Sequence, residues 1–129
     1  MPFREIQKAI VMRDDIYLIV LRSPKAEFFP EHWDFPGGRL EPNEDPKEGI
    51  AREILEESGL RATIGDVVGV YEMDLIPEVT HRYTVYATSN IEGDVQLSDE
   101  HTAFQWATKD DILALPIEPY MKSYFEEHT

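Results

Sequence analysis

WDFPGGRLEPNEDPKEGIAREILEESGL, residues 33–60, is the stretch around which the rest of the chain is arranged. Its second half is a helix with both ends written into the residues. Asp45 stands at the N-cap, and Pro46 follows at the first helical position, where a fixed φ is an asset and a missing N–H is no loss. Glu48 lies three residues after the cap, as in a capping box, and Gly59 stands where a left-handed residue ends a helix. A helix is therefore predicted over 46–58. Ile50, Ala51, Ile54 and Leu55 repeat with helical period and mark its buried stripe. Gly49 costs about 1 kcal/mol against alanine in a helix interior, and the sequence offers no reason for it.

The acids of this helix conflict with its good construction. Glu53, Glu56 and Glu57 fall within an arc of about 100°. Glu53 and Glu57 are like-charged i,i+4 neighbours. Glu56 and Glu57 sit in the last turn, where the helix dipole disfavours anions by roughly 0.3–1 kcal/mol each. Arg52, four residues before Glu56, offsets part of this. A solvated acidic face is the bland explanation. A conflict confined to one patch of a well-made helix points instead to function. Carboxylate oxygens gathered on one side suit Mg²⁺, with Mn²⁺ as a substitute. The Gly37-Gly38 turn lets backbone approach a metal or a phosphate closely, and Arg39 just after it can reach a phosphate oxygen.

Working outward, 4–12 and 16–22 read as two strands joined by a turn at Asp14-Asp15, the second apolar enough to be buried on both faces. Residues 23–32 form a loop with two prolines, in which Phe28 either covers the core or lies beside a nucleobase. Residues 61–73 read as a strand bent at Gly65 and Gly69, and Pro77 as a turn. The alternation in 80–89 gives a strand with one polar face. A polar loop over 90–102 carries Asp99 and Glu100, followed by a short strand at 103–107. Thr108 caps a helix over 109–115, and a last helix over 118–127 carries Tyr120, Met121, Tyr124 and Phe125 on one side. Interleaved strands and helices with hairpins give an α/β chain, a mixed sheet with helices packed on it.

Composition narrows the function classes. The 129 residues suit one domain, 1–129. There is no apolar run of transmembrane length and no signal-peptide core at the N-terminus, so a cytoplasmic protein with no membrane partner is expected. With no cysteine, thiolate metal sites and cysteine nucleophiles are excluded. A net charge of −14 without any run of Lys and Arg disfavours long nucleic acid. A monomer and a homodimer are both compatible with such a surface.

The spacing Gly38, five residues, Glu44, seven residues, then Arg52-Glu53-Ile54-Leu55-Glu56-Glu57-Ser58-Gly59-Leu60 resembles the Nudix box at every defined position. Trp33 to Gly37 resembles the family's approach to it. The resemblance implies an α/β/α sandwich around a mixed sheet. It implies hydrolysis of a diphosphate linkage in a nucleoside di- or triphosphate derivative, a small nucleotide being the partner. By the same resemblance Glu53, Glu56 and Glu57, with the Gly37 carbonyl, would hold the metal. Arg52 would orient a box glutamate through an ion pair, and Glu44 would support the box from within. The base that takes the proton of the attacking water is Glu53 within the box or Glu100 in the later loop, with Asp99 one position away. Arg22, Arg39 and Phe28 are the candidate substrate contacts; His81 and Arg82 are weaker candidates, and His32 reads as structural or exposed.

Substrate choice is written less plainly. Leu75 and Ile76 occupy the places beyond the box where some subfamilies carry a marker proline or tyrosine, so neither ADP-ribose nor a dinucleoside polyphosphate is assigned. MutT-like hydrolysis of nucleoside triphosphates is compatible with the short chain. The rival class is a regulatory module that binds nucleotide without turnover, against which the intact set of helix acids argues. An isopentenyl diphosphate isomerase is disfavoured by the absent cysteine, and an RNA-decapping role by the charge.

Overall fold

A computed structural model describes residues 2–128, one fewer at each end than the expected domain span. Its strands are β1 (Phe3–Ile10), β2 (Met12–Arg13), β3 (Ile16–Arg22), β4 (Trp33–Asp34), β5 (Gly37–Arg39), β6 (Arg61–Ile76), β7 (Val79–Glu92) and β8 (His101–Ala107). Its helices are α1 (Pro46–Ser58), α2 (Lys109–Leu113) and α3 (Pro119–Glu127). One sheet has the order β5-β1-β7-β6, in which β1 and β7 run parallel and the other pairs antiparallel. In the second sheet β3 pairs with β2, β4 and β8.

Alternation along the strands explains the layers. Ala9, Val11, Leu18 and Tyr86 pack with Ile50, Ile54 and Leu60 on the α1 side. Ile10, Ile19, Tyr83 and Val85 pack with Phe35, Tyr120, Met121, Tyr124 and Phe125 on the α3 side. Neighbours in sequence thus point to opposite cores, as strand geometry requires, and the strands lie between two helical layers. Leu18, Ile19 and Val20 are all fully buried, which accounts for the unbroken apolar run of β3.

Several expectations need correction. The run 4–12 divides into β1, which lies in the first sheet, and β2, the one of the two that pairs with β3. Leu55, expected in the buried stripe of α1, is exposed. The polar face foreseen for 80–89 is covered: Tyr86 is buried on the α1 side, where Gln7 Nε2 donates to its hydroxyl at 3.3 Å and to the Pro46 carbonyl at 2.9 Å. A tyrosine reads as polar in an alternation pattern, yet its ring buries readily once the hydroxyl has a partner. The strand also runs on to Glu92, so the polar loop is only 93–100 and β8 begins at His101. Similarly, β6 continues past Met73 to Ile76 and closes on β7 through a turn at Pro77-Glu78. The bends expected at Gly65 and Gly69 appear as register shifts between Ile64 and Val67 and between Val67 and Gly69.

Helix α1 spans the predicted residues. Asp45 accepts from the Glu48 N–H at 3.0 Å, and Gly59, at φ 76°, donates to the Leu55 carbonyl at 2.9 Å. Gly49 also finds its reason: a Cβ there would stand 2.8 Å from Glu44 Oε1 and 3.0 Å from Gln7 Oε1. The ends of the Glu44 and Gln7 side chains pack on this face of the helix and would have to give way to an alanine methyl.

Candidate functional site

Two glycines bring α1 against the sheet. Gly37, at φ 152°, lies so close to β1 that a Cβ would stand 2.0 Å from the Gln7 carbonyl oxygen. At Gly38 a Cβ would meet Glu53 Oε2 at 2.4 Å. The first glycine permits the β1–β5 pairing; the second leaves room for the Glu53 carboxylate over the turn. The Gly37 N–H points at Glu57 Oε2, 3.4 Å away.

The loop before β8 is fastened to the end of the same helix. The Gln96 N–H donates to the Ser58 carbonyl at 2.8 Å and the Ser98 N–H to the Glu57 carbonyl at 3.3 Å. These bonds bring Glu100 beside Glu57. The Ser23 N–H donates in turn to the Glu100 carbonyl at 3.1 Å, tying the proline loop to the same corner. Glu53, Glu57, Asp99 and Glu100 thus line one cleft of ≈ 700 Å³.

Arg52 organises the outer side of the helix. It binds Glu44 through Nε at 2.8 Å and Nη2 at 3.1 Å, Glu53 Oε1 through Nη2 at 3.0 Å, and Glu56 through Nη1 at 3.0 Å. Glu56 is exposed, turned to Arg52, and does not line the cleft. These bonds hold Glu44 below its ordinary pKa and raise that of Arg52. Burial, reinforced by Glu56 and Glu100 against the pull of Arg52, raises Glu53. Burial also pushes Glu57 up to about 8, with Glu53 and Glu100 adding to it and Lys8 opposing.

That crowding bears on the metal. Among the described residues no three His, Asp or Glu side chains are already converged on a common point. The donor set is nonetheless of the right kind: hard carboxylate oxygens on Glu53 and Glu57, with Glu100 beside them, at a turn whose glycines admit close approach. Mutually repelling carboxylates at a cleft wall suit a divalent cation that prefers oxygen ligands and keeps some of its waters.

The same cleft gathers a set of basic residues that the sequence did not reveal. Of 12 Lys and Arg residues, five line this cleft: Arg4, Lys8, Arg22, Lys25 and Arg39. They are scattered in sequence and gathered only by the fold. Arg39, expected to reach substrate, stands exposed at this cleft. Arg22 also lines the cleft, but its guanidinium is engaged. Nε donates to the Phe28 carbonyl at 3.0 Å, and Nη1 meets Asp34 Oδ2 at 3.2 Å and Glu118 Oε2 at 3.6 Å. Phe28 lies in the cleft, edge-on to His81 at 4.9 Å. Arg82 pairs instead with Glu5 and Glu72, and His32 Nδ1 stands 2.9 Å from the Pro30 carbonyl.

The floor is a buried ionic network missed at the level of sequence. Lys8 Nζ contacts Asp34 Oδ2 at 2.7 Å, and the Tyr120 hydroxyl donates to Asp34 Oδ1. The Tyr83 hydroxyl donates to Glu118 Oε1 at 3.4 Å. Burial works to raise the Asp34 carboxyl, but Lys8, with Glu118 and Arg22 adding to it, holds it well below the usual range. Burial and the Asp34 charge push Glu118 the other way. Glu118 stands at the N-cap of α3 yet makes no capping bond, because its side chain is turned into this network. One sign was available: the period of two in REIQKAI puts Arg4, Ile6 and Lys8 on one face.

With this geometry in view, the comparisons are decisive. The NUDIX domain model matches residues 4–128. This chain belongs to the NUDIX family. It is 29% identical over 119 residues to the CTP pyrophosphohydrolase of Escherichia coli K12, covering 92% of this chain and 86% of that protein. It is 32% identical over 120 residues to a MutT-like protein of Streptomyces ambofaciens, covering 92% and 73%. The crystal structure of a MutT protein from Methanosarcina mazei Go1 superposes with a TM-score of 0.88 at 30% identity, covering 98% and 92%. The expected NUDIX fold, mixed sheet between helical layers, is the one observed, and such relatives identify the chain as a NUDIX pyrophosphohydrolase.

Proposed function

We propose that this NUDIX protein hydrolyses a phosphoanhydride bond of a nucleoside triphosphate with Mg²⁺, Mn²⁺ serving as a substitute. The observation that carries the proposal is that one cleft is lined both by Glu53, Glu57 and Glu100 and by Arg4, Lys25 and Arg39. The triphosphate preference leans on the relatives, which include a CTP pyrophosphohydrolase and a MutT-like protein. Expected products are a nucleoside monophosphate and pyrophosphate.

Glu53 and Glu57 would hold the metal with the Gly37 carbonyl, Glu56 joining by rotating away from Arg52. Bound there, the ion would supply charge neutralisation at the diphosphate and acidify water. The chain's own residues do the rest. Arg39 binds phosphate oxygens and opposes their charge as water attacks phosphorus and the bridging P–O bond breaks. Glu53 takes the water's proton: Arg52 holds its Oε1, Oε2 lies over Gly38, and the residue lines the cleft. Glu100 is the rival acceptor. Arg52 and Glu44 keep the helix carboxylates in place.

The test is a panel of nucleoside triphosphates with Mg²⁺ and Mn²⁺, with products identified by mass. Release of pyrophosphate that stops on chelation and returns with either metal is the expected result. Saturable binding with no turnover under any divalent metal would overturn the proposal in favour of a binding module. E53Q abolishing turnover while E100Q retains most of it would support Glu53 as the base; the reverse order would transfer the role.

A further inference from the structure

Residues 23–32 connect β3 to β4 without helix or strand, and they bring Lys25, Glu27 and Phe28 to the cleft. This run is held against its own preferences. Phe29, at φ 50°, and Glu31, at φ 59°, lie in the left-handed region, which is unfavourable for any residue with a Cβ. The bonds made inside the run are short-range: the Ala26 N–H donates to the Ser23 carbonyl, and the His32 N–H to the Phe29 carbonyl. Arg22, the last residue of β3, adds three more. Its N–H donates to the His32 carbonyl at 3.0 Å, its carbonyl accepts from the Glu31 N–H at 3.2 Å, and its Nε donates to the Phe28 carbonyl at 3.0 Å.

The first two bonds are main-chain bonds open to any residue at this position. The third depends on where the guanidinium is held. Nη1 stands 3.2 Å from Asp34 Oδ2 and 3.6 Å from Glu118 Oε2, and both of those residues are buried. Asp34 is itself fixed by Lys8 Nζ and by the Tyr120 hydroxyl. The anchor therefore lies in the core, and Arg22 reaches from it to the loop. A guanidinium is a rigid planar fork, so the contact with Asp34 sets the direction in which Nε points. An ammonium is a point charge on a flexible stem and has no second arm to aim.

We propose that Arg22 is a positioning residue: it ties the 23–32 loop to the buried Asp34 carboxylate, so that Phe28 and Lys25 stand at the cleft and the substrate meets the loop rather than the guanidinium. The inference rests on the nucleotide reading above, but its first test needs no turnover. Amide hydrogen exchange is followed in wild type, R22K and R22M. R22K keeps a cation for Asp34 and removes the fork. Exchange at Glu31 and His32 should quicken by ~10-fold or more in both variants. Leu18, whose N–H donates to the Val11 carbonyl, should keep its protection and report an intact fold. The second test is steady-state kinetics with Mg²⁺ on the nucleoside triphosphate that wild type hydrolyses best. KM should rise ~10-fold in both variants with kcat within about threefold, as when binding is lost and the chemical step is spared. A direct phosphate ligand would behave differently: lysine also binds phosphate, so R22K would stay near wild type and R22M alone would lose affinity. That pattern, unchanged exchange at Glu31 and His32 in R22K, or a fall in kcat at constant KM would overturn the proposal. If R22M does not fold, R22K alone decides. If wild type hydrolyses no nucleotide, the nucleotide reading fails and the exchange measurement decides whether Arg22 holds the loop.

Discussion

At the scale of single residues, the site sets function against stability. Glu57 is buried near Glu53 and Glu100, with Lys8 as the nearest opposing charge. E57Q removes a carboxylate from that crowd while keeping its shape. In the metal-free protein it should raise Tm by about 3–5 °C, equivalent to roughly 1 kcal/mol. Turnover with Mg²⁺ should fall by about 100-fold or more. Calorimetric melting and steady-state kinetics check the two halves. His81 gives a pH signature of opposite kind. Its folded pKa is depressed below 6.5 by burial, so the unfolded chain binds the proton more readily. Stability from this group is present above 6.5 and is lost as pH falls through that value toward the folded pKa. Glu57 and Glu118, whose folded pKa values are raised, work the other way on acidification. The His81 effect is therefore read as a difference: between pH 7.5 and 5.5 the Tm of wild type should fall relative to that of H81N.

At the scale of elements, the two glycines of the turn do separate work, and substitution should separate them. G37A drives a Cβ into the backbone of β1 at a φ that alanine rarely adopts. It should cost on the order of 3 kcal/mol, read as a lower urea midpoint. G38A meets only the end of the Glu53 side chain, which can swing aside. It should leave the midpoint within about 1 kcal/mol of wild type while lowering kcat by at least about tenfold, because the displaced carboxylate is one the reaction uses. The caps of α1 belong to the same scale. D45A removes the acceptor for the Glu48 N–H and should cost about 1 kcal/mol without changing kcat.

At the scale of the whole molecule, Asp34 joins parts that are distant in sequence. It contacts Lys8 of β1, Arg22 of β3 and Tyr120 of α3, and Arg22 continues to Phe28 of the proline loop. D34A leaves the buried Lys8 ammonium without its closest counter-charge and should cost about 3–5 kcal/mol in denaturant unfolding, far more than loss of a surface ion pair. The sequence by itself determined what local chemistry can encode. The caps, period and acids of α1 are contacts between near neighbours, so Asp45, Gly59, Glu53 and Glu57 were legible as a helix bearing a site. The all-apolar run of β3 likewise announced burial on both faces. Tyr86 misled because alternation ranks a residue by polarity, whereas burial of its ring was decided by Gln7 and α1 across the sheet. Only the tertiary structure gathered Arg4, Lys8, Arg22, Lys25 and Arg39 around one cleft of an otherwise acidic protein. It also turned Glu118 inward, turned Glu56 toward Arg52 and buried His81 with its Nδ1 unpartnered. Those facts depend on strand order and register, which place residues dozens of positions apart within hydrogen-bonding distance, and no local pattern carries them.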